Sequence, residues 1–345
     1  MAKAKKLPSG SWRCLAFAGT GADGKRKYKS FTADTKKEAE LLAAQFSIDR
    51  KDTSQQKLTL TQAIDKYIES KSNTLSPSTI RGYRIAQRNA YESIKHRQID
   101  SITEITLQAW ANENAPKYSS KSIQNQFGLI TVVLRQNKIK LDFDSIMLKP
   151  KEKSEYNVPD VDTMGVIIEA VRGKNIEIPV LLALMLGLRQ SEIAGLKWED
   201  YDGENIHIHA AHIRDEHNKM VRKERAKSYA GNRIIPNIPT YLREKLDNAE
   251  RKGEYISPYR RPGSILEGFR RLTKSLGLPP YKMHELRHAN ASLMLLNGTA
   301  DKYAMERLGQ STPSMIKNVY QHTFRKEQEK VAESIDTAFQ NMLKK

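Results

Sequence analysis

Near its C-terminus the chain reads His284-Glu285-Leu286-Arg287-His288, and thirty-two residues beyond His288 it reads Tyr320-Gln321-His322. Two chemistries compete for the first string. As His-Glu-x-x-His it matches a zinc-protease helix, in which two histidines one turn apart ligate the metal and the glutamate is the general base. As His-x-x-Arg with a distant tyrosine it offers groups suited to a phosphodiester: a planar guanidinium for the phosphate oxygens and a phenol as nucleophile. The zinc reading needs a third protein ligand and an open position for water. His322, His207, His209 and His212 are available, but none has a spacing that singles it out, and Arg287 would set a cation beside a divalent metal. The phosphodiester reading is the stronger.

A glycine-rich string offers a further chemistry. Gly19-Thr20-Gly21-Ala22-Asp23-Gly24 satisfies G-x-G-x-x-G and, with Lys25, most of a phosphate-binding P-loop. Both motifs need a helix after the glycines, whose first amides hold the phosphates. Here a strand pattern follows, and Arg26 stands where a P-loop needs Ser or Thr, so the string reads as a hairpin turn.

The elements that must position these residues belong to a basic chain. Its 345 residues hold 58 Lys and Arg against 40 Asp and Glu, a formal net charge of +18. That balance points to a polyanion, nucleic acid ahead of an anionic membrane surface, because each cation that neutralises a phosphate releases counterions. No stretch approaches the roughly 20 apolar residues of a membrane span, and the basic Met1–Lys6 string is not a signal peptide. The single cysteine, Cys14, excludes an intramolecular disulfide and a Cys-based zinc site, and fits a reducing cytosol.

Residues 11–17 and 25–32 read as strands, and Thr35-x-x-Glu38 as a capping box for a helix with Ala39, Leu42, Ala43 and Phe46 on its apolar face. Residues 1–57 carry 13 Lys or Arg against 6 Asp or Glu. After a polar linker at 52–57, Thr59-x-x-Gln62 caps a helix with Ala63, Ile64, Tyr67 and Ile68 inward. Ser76-Pro77 opens a second helix; a third lies around Thr106–Asn112, and a fourth runs from Ser119 or Ser120 to Gln136. A charged, proline-bounded linker spans 149–159. Beyond it come a buried helix over 178–188, short strands near 206–209 and 233–238, and helices to the end.

Four strings then appear in order: Gly187-Leu188-Arg189-Gln190-Ser191-Glu192 through Trp198; Lys227 eight residues before Ile235-Pro236; His284-x-x-Arg287-His288; and Leu308-Gly309-Gln310 followed ten residues on by Tyr320-x-His322. Together they resemble the tyrosine recombinase (phage integrase) family. The resemblance implies a multidomain, mainly α fold with small β elements. Residues 1–55 would be an arm-type DNA-binding domain, a three-stranded sheet plus helix. Residues 58–148 would be a helical, SAM-like core-binding domain, and 155–345 a mixed α/β catalytic domain ending in a tail helix.

It also implies roles. Arg189 and Arg287 clamp the phosphate, Tyr320 attacks to leave a 3′-phosphotyrosyl link, Lys227 protonates the 5′-hydroxyl leaving group, and His284 assists proton transfer. Glu192, His288 and His322 support them. At position 310 the family usually has histidine, less often tryptophan; Gln310 can donate to a phosphate oxygen but cannot titrate. Rival readings stay open for Arg189 as a helix-end cation, Lys227 as one of a solvated basic loop with Lys223 and Arg225, and Tyr320 as a buried helix aromatic. The expected partners are double-stranded DNA at core and arm sites, a homotetramer on paired sites, and an excisionase or host DNA-bending protein, with no membrane. No cofactor is expected, neither ATP nor metal. The expected setting is the bacterial cytoplasm at the nucleoid, and the expected source a phage or integrative element. A catalytically silent DNA-binding protein of the same fold is the main alternative. In the tail, Val331, Ile335, Ala338, Phe339 and Met342 recur at helical spacing, a stripe that usually packs on its own domain and that the resemblance implies can instead dock on a neighbouring protomer.

Overall fold

A computed structural model of the protein describes residues 3–20, 26–53, 58–151, 157–224 and 232–310, and residues 335–336, 339–340 and 342 of the tail. The chain divides into two compact units, Met1–Asn73 with Ile85–Lys151 and Thr74–Arg84 with Glu152–Lys345.

In the first unit β1 (Lys5–Lys6), β2 (Trp12–Thr20) and β3 (Arg26–Ala33) form an antiparallel sheet in that order. The period-2 alternation of β2 sends Cys14 and Ala16 to the buried face and leaves Leu15 and Phe17 outside. The buried face packs on Ala39 and Ala43 of α1 (Lys36–Thr53), whose first turn is held by the Glu38 amide donating to Thr35 Oγ1 at 3.3 Å. Two expectations fail here. Leu42 is exposed, because one sheet face covers only a narrow stripe of α1, and Asp52 and Thr53 continue the helix where a linker was expected. β1 is too short to show in the residue pattern. The glycine-rich string precedes a strand, with Thr20 paired to Arg26 across the hairpin.

The helical part contains α2 (Leu60–Ser70), α3 (Pro77–Asn89), α4 (Glu104–Asn114) and α5 (Ser120–Gln136). Their starts follow side-chain capping: Thr59 and Gln62 form the reciprocal box, Ser76 Oγ accepts from Thr79, and Thr103 and Ser119 cap α4 and α5. α4 is longer at both ends than the sequence pattern indicates. Trp110 and Tyr91 fill the core, each with its polar atom satisfied: Trp110 Nε1 donates to the Ala90 carbonyl at 2.6 Å, and the Tyr91 hydroxyl to that of Gln126 at 2.8 Å.

The second unit adds α6 (Val161–Val171), α7 (Glu177–Leu186), α8 (Gln190–Gly195), β4 (Ile206–Ile208), β5 (Ala210–Arg214), β6 (Met220–Glu224), β7 (Arg233–Ile235), α9 (Thr240–Asp247), α10 (Pro262–Ser275), α11 (Met283–Leu296) and α12 (Asp301–Leu308). α7 is apolar nearly all round and correspondingly buried, with Val180, Leu181, Leu182 and Leu186 in one core with Ile193, Phe269 and Leu286. It stops at Leu186, two residues before the expected end, because Gly187 takes the left-handed conformation at φ 64°. β4 pairs antiparallel with β7, Ile206 opposite Ile235. β7 is shorter than expected, since Pro236 has no amide for the ladder. The β5–β6 hairpin was not expected from the sequence. Among the described residues no helix is long and apolar enough to cross a membrane.

Candidate active site

Two helix ends and one helix face build the site. Gly187 closes α7 and turns the chain so that Arg189 becomes the N-cap of α8, at φ −73° and ψ 147°. This differs from the helix-end cation the sequence allowed: Arg189 begins a helix, and Glu192 in the first turn answers it twice. The Arg189 amide donates to Glu192 Oε2 at 3.1 Å and its Nη1 to Oε1 at 2.7 Å. Glu192 is fully buried, whereas the Arg189 side chain keeps about a third of its surface in solvent. The carboxylate thus anchors a guanidinium that faces outward.

α11 contributes Arg287, fully buried, whose Nη1 and Nη2 donate to the carbonyls of Gly187 and Leu308. α12 ends in a second left-handed glycine, Gly309, at φ 63°. The carbonyls at that end have no partner within their helix, and guanidiniums take them in succession. Arg233 Nε holds Arg307 O at 2.8 Å, Arg287 Nη2 holds Leu308 O, and Arg189 Nη2 holds Gly309 O at 3.1 Å. Gln310 follows directly, its amide donating to Met305 O at 2.9 Å.

His284 and His288 lie one turn apart on α11, ring centroids 4.7 Å apart and edge to face. Burial first, then the Arg287 and Arg189 guanidiniums, push His284 below the ordinary histidine value, with Glu192 pulling the other way. His284 is exposed as a residue, yet enough protein surrounds it for desolvation to lead. His288 is enclosed and is pushed down to about 4 by burial, His284 and Arg287. Both imidazoles are therefore held neutral near pH 7.

Glu285, the base of the protease reading, is occupied as a cap: its Oε2 accepts from the Lys282 amide at 2.7 Å. Of the other histidines weighed as zinc ligands, His322 lies outside the described residues, and His207, His209 and His212 are engaged on β4 and β5 or just after β4. His207 meets Asn232, His209 meets Asp200, each at 2.6 Å, and His212 Nδ1 lies 3.1 Å from the Arg260 carbonyl.

The structure thus brings Arg189 and Arg287 to one turn, residues 307–310, which includes Gln310, with Glu192 holding Arg189 and with His284 and His288 paired beside Arg287. Lys227, Tyr320 and His322 lie outside the described residues. One member was missed. Arg233, at the start of β7, is buried and its Nη2 donates to Glu192 Oε2 at 3.0 Å. The only signal was alternation, which sets Arg233 on the inward face with Ile235 and leaves Ile234 outside.

Comparison with solved structures shows a shared fold. An integrase of the Tn1549 transposon, solved with transposon right-end DNA, superposes with a TM-score of 0.62 at 18% identity, covering 80% of this chain and 100% of that one. A lambda integrase tetramer bound to a Holliday junction gives a TM-score of 0.57 at 17% identity, covering 92% of this chain and 94% of that one. In sequence, a tyrosine recombinase XerC-like protein of Caldanaerobacter subterraneus subsp. tengcongensis is 24% identical over 223 residues, 55% of this chain and 57% of the relative. The chain spans about half the length of the curated relatives it matches. The phage integrase family model matches residues 162–327, and the phage integrase N-terminal SAM-like domain matches residues 59–114, together more than half of the chain. The chain belongs to the phage integrase family of tyrosine recombinases.

Proposed function

We propose that the protein is a site-specific DNA recombinase that cleaves and rejoins strands through a 3′-phosphotyrosyl intermediate on Tyr320, integrating or excising a mobile element. The observation that carries this reading is the convergence of Arg189 and Arg287 on the 307–310 turn, with His284 within electrostatic reach of both guanidiniums. Attack on a phosphodiester concentrates negative charge on the non-bridging oxygens. A guanidinium held outward by a buried carboxylate, as Arg189 is, is preorganised to meet that charge. Such a donor is worth about 10²–10³ in rate, by analogy with oxyanion holes. Arg287, expected as the second half of the phosphate clamp, departs from that role as placed: it is fully buried with Nη1 and Nη2 on the Gly187 and Leu308 carbonyls and braces the turn from within, while His284 is assigned proton transfer. Lys227 is assigned the leaving-group proton and Gln310 a neutral donor to the phosphate. One phosphoester replaces another, so the reaction conserves bond energy and calls for no ATP or metal.

The substrate is double-stranded DNA with core and arm sites. Residues 1–55 read the arm site: the open sheet face presents Arg13, Leu15, Phe17 and Tyr28 to solvent beside a strongly basic strand β3. Residues 58–148 hold the core site, and 155–345 carry the chemistry. Strand exchange takes place in a homotetramer on paired sites in the bacterial cytoplasm, with an excisionase or host DNA-bending protein as accessory. The DNA- and junction-bound integrases of like fold support the reading. The test is a nicked suicide substrate, which traps the covalent stage. A protein–DNA band that resists denaturation and disappears in Tyr320→Phe is the expected result; its absence from the unaltered protein leaves a DNA-binding protein without catalysis.

A further inference from the structure

Glu192 serves two masters. One oxygen accepts from Arg189 Nη1 at 2.7 Å; the other accepts from the Arg189 amide at 3.1 Å and from Arg233 Nη2 at 3.0 Å. The same Arg233 side chain donates from Nε to the Arg307 carbonyl at 2.8 Å. Nε and Nη2 are fixed relative to each other in a planar group, so one guanidinium sets the separation between the α8 carboxylate and the end of α12. Arg189 bridges the same two places, from Glu192 Oε1 to Gly309 O. Arg233 and Arg189 are thus parallel struts across one gap, the first nearly enclosed and the second a third exposed.

We infer that Arg233 is a positioning residue of this site: by locking the Glu192 carboxylate to the Arg307 carbonyl it fixes the direction in which Arg189 presents its guanidinium. The inference rests on the proposed strand-cleavage function for its kinetic consequence, but not for its structural one. Neutralising the Glu192 charge is insufficient as an account of Arg233, because Arg189 already supplies a cation at 2.7 Å. What a second, buried arginine adds is geometry. A lysine would keep the charge but offers a single nitrogen for two acceptors on different elements.

The test compares Arg233→Lys and Arg233→Gln with the unaltered full-length chain. Single-turnover cleavage of the suicide substrate at saturating DNA should fall about 10²-fold in R233K, the scale of a misdirected catalytic group. Half-site affinity and thermal midpoint should change little. A merely electrostatic or structural role would be rescued by lysine, so a rate within a few-fold of the unaltered protein overturns the inference. Coupling is read by combining R233K with Arg189→Lys. If Arg233 acts through Arg189, the double variant is no slower than R189K; multiplying losses overturn it. A second readout is independent of cleavage. In arginine-labelled protein the Arg189 side-chain N–H resonances, assigned by their loss in R189K, should be slowed in exchange and should broaden or vanish in R233K and R233Q. Their persistence overturns the inference even if the unaltered protein makes no covalent DNA band, an outcome that by itself counts only against the recombinase reading.

Discussion

His288 sits one turn from His284, enclosed by protein, with its pKa pushed to about 4 by burial first and then by the neighbouring His284 and Arg287. In the unfolded chain a histidine titrates near 6.5, so between pH 6.5 and 4 the unfolded state takes a proton that the fold refuses. The stabilisation is complete above about pH 6.5 and lost as pH falls towards 4, by on the order of 3 kcal/mol from this residue. Urea unfolding at pH 7.5 and 4.5 should show that decline, and His288→Leu should flatten it; an equal decline in the variant would assign the acid sensitivity elsewhere. At this scale much was legible. Arg189, Glu192, His284, Arg287, His288 and Gln310 could be chosen because type and spacing carried chemistry; Arg189 and Arg287 meet at the turn that includes Gln310, Glu192 holds Arg189, and the two histidines pair beside Arg287. Arg233 could not be chosen, since its meaning depends on sharing a carboxylate with a residue 44 positions earlier. Lys227 and Tyr320 rest on the motif alone.

The elements that aim these side chains end in left-handed glycines, Gly187 after α7 and Gly309 after α12. A methyl at Gly187 would meet Leu308 Cδ2 and, 2.9 Å away, Asn290 Oδ1, in a conformation that costs an alanine about 1–2 kcal/mol before any clash. With overpacking added, Gly187→Ala should lose about 2–4 kcal/mol in urea unfolding. Cleavage should fall further than binding, because the 187 carbonyl is one of the two that hold Arg287. Gly128, exposed within α5 with open space around its Cβ position, is the control: Gly128→Ala should gain about 0.5–1 kcal/mol. Equal effects of the two would remove the conformational argument. Helix starts were readable because Thr59, Ser76 and Ser119 act locally, through their own backbone. The β5–β6 hairpin was not: Arg214, Arg222 and Lys223 lie in strands whose order comes from pairing with each other, a non-local cause that leaves little alternation behind.

Assembly is a property of the whole molecule, and the tail bears on it. Ile335, Phe339 and Met342 fall at i, i+4 and i+7 and are more than half exposed, at 52%, 61% and 69%. The Gln340 amide donates to Asp336 Oδ2 across one helical turn, consistent with that spacing. Large apolar side chains at helical spacing favour burial in a groove, on their own protomer or on a neighbour. In a protein proposed to act as a tetramer, the equivalent surface of a neighbouring copy is the economical occupant. Charge separates this role from DNA binding. Residues 327–345 carry 3 Lys against 4 Asp or Glu, so removing them leaves the chain at least as basic as its +18. The phosphate-neutralising, salt-sensitive part of affinity should then survive. Truncation after Lys326 should leave binding to a single half-site, and the slope of its salt dependence, within about a factor of two, while complexes on paired sites form more weakly and dissociate faster in gel-shift titrations. Unchanged assembly on paired sites would show that the stripe serves its own protomer, and a matching loss at single half-sites would show that the tail supports the fold of the DNA-binding surface instead.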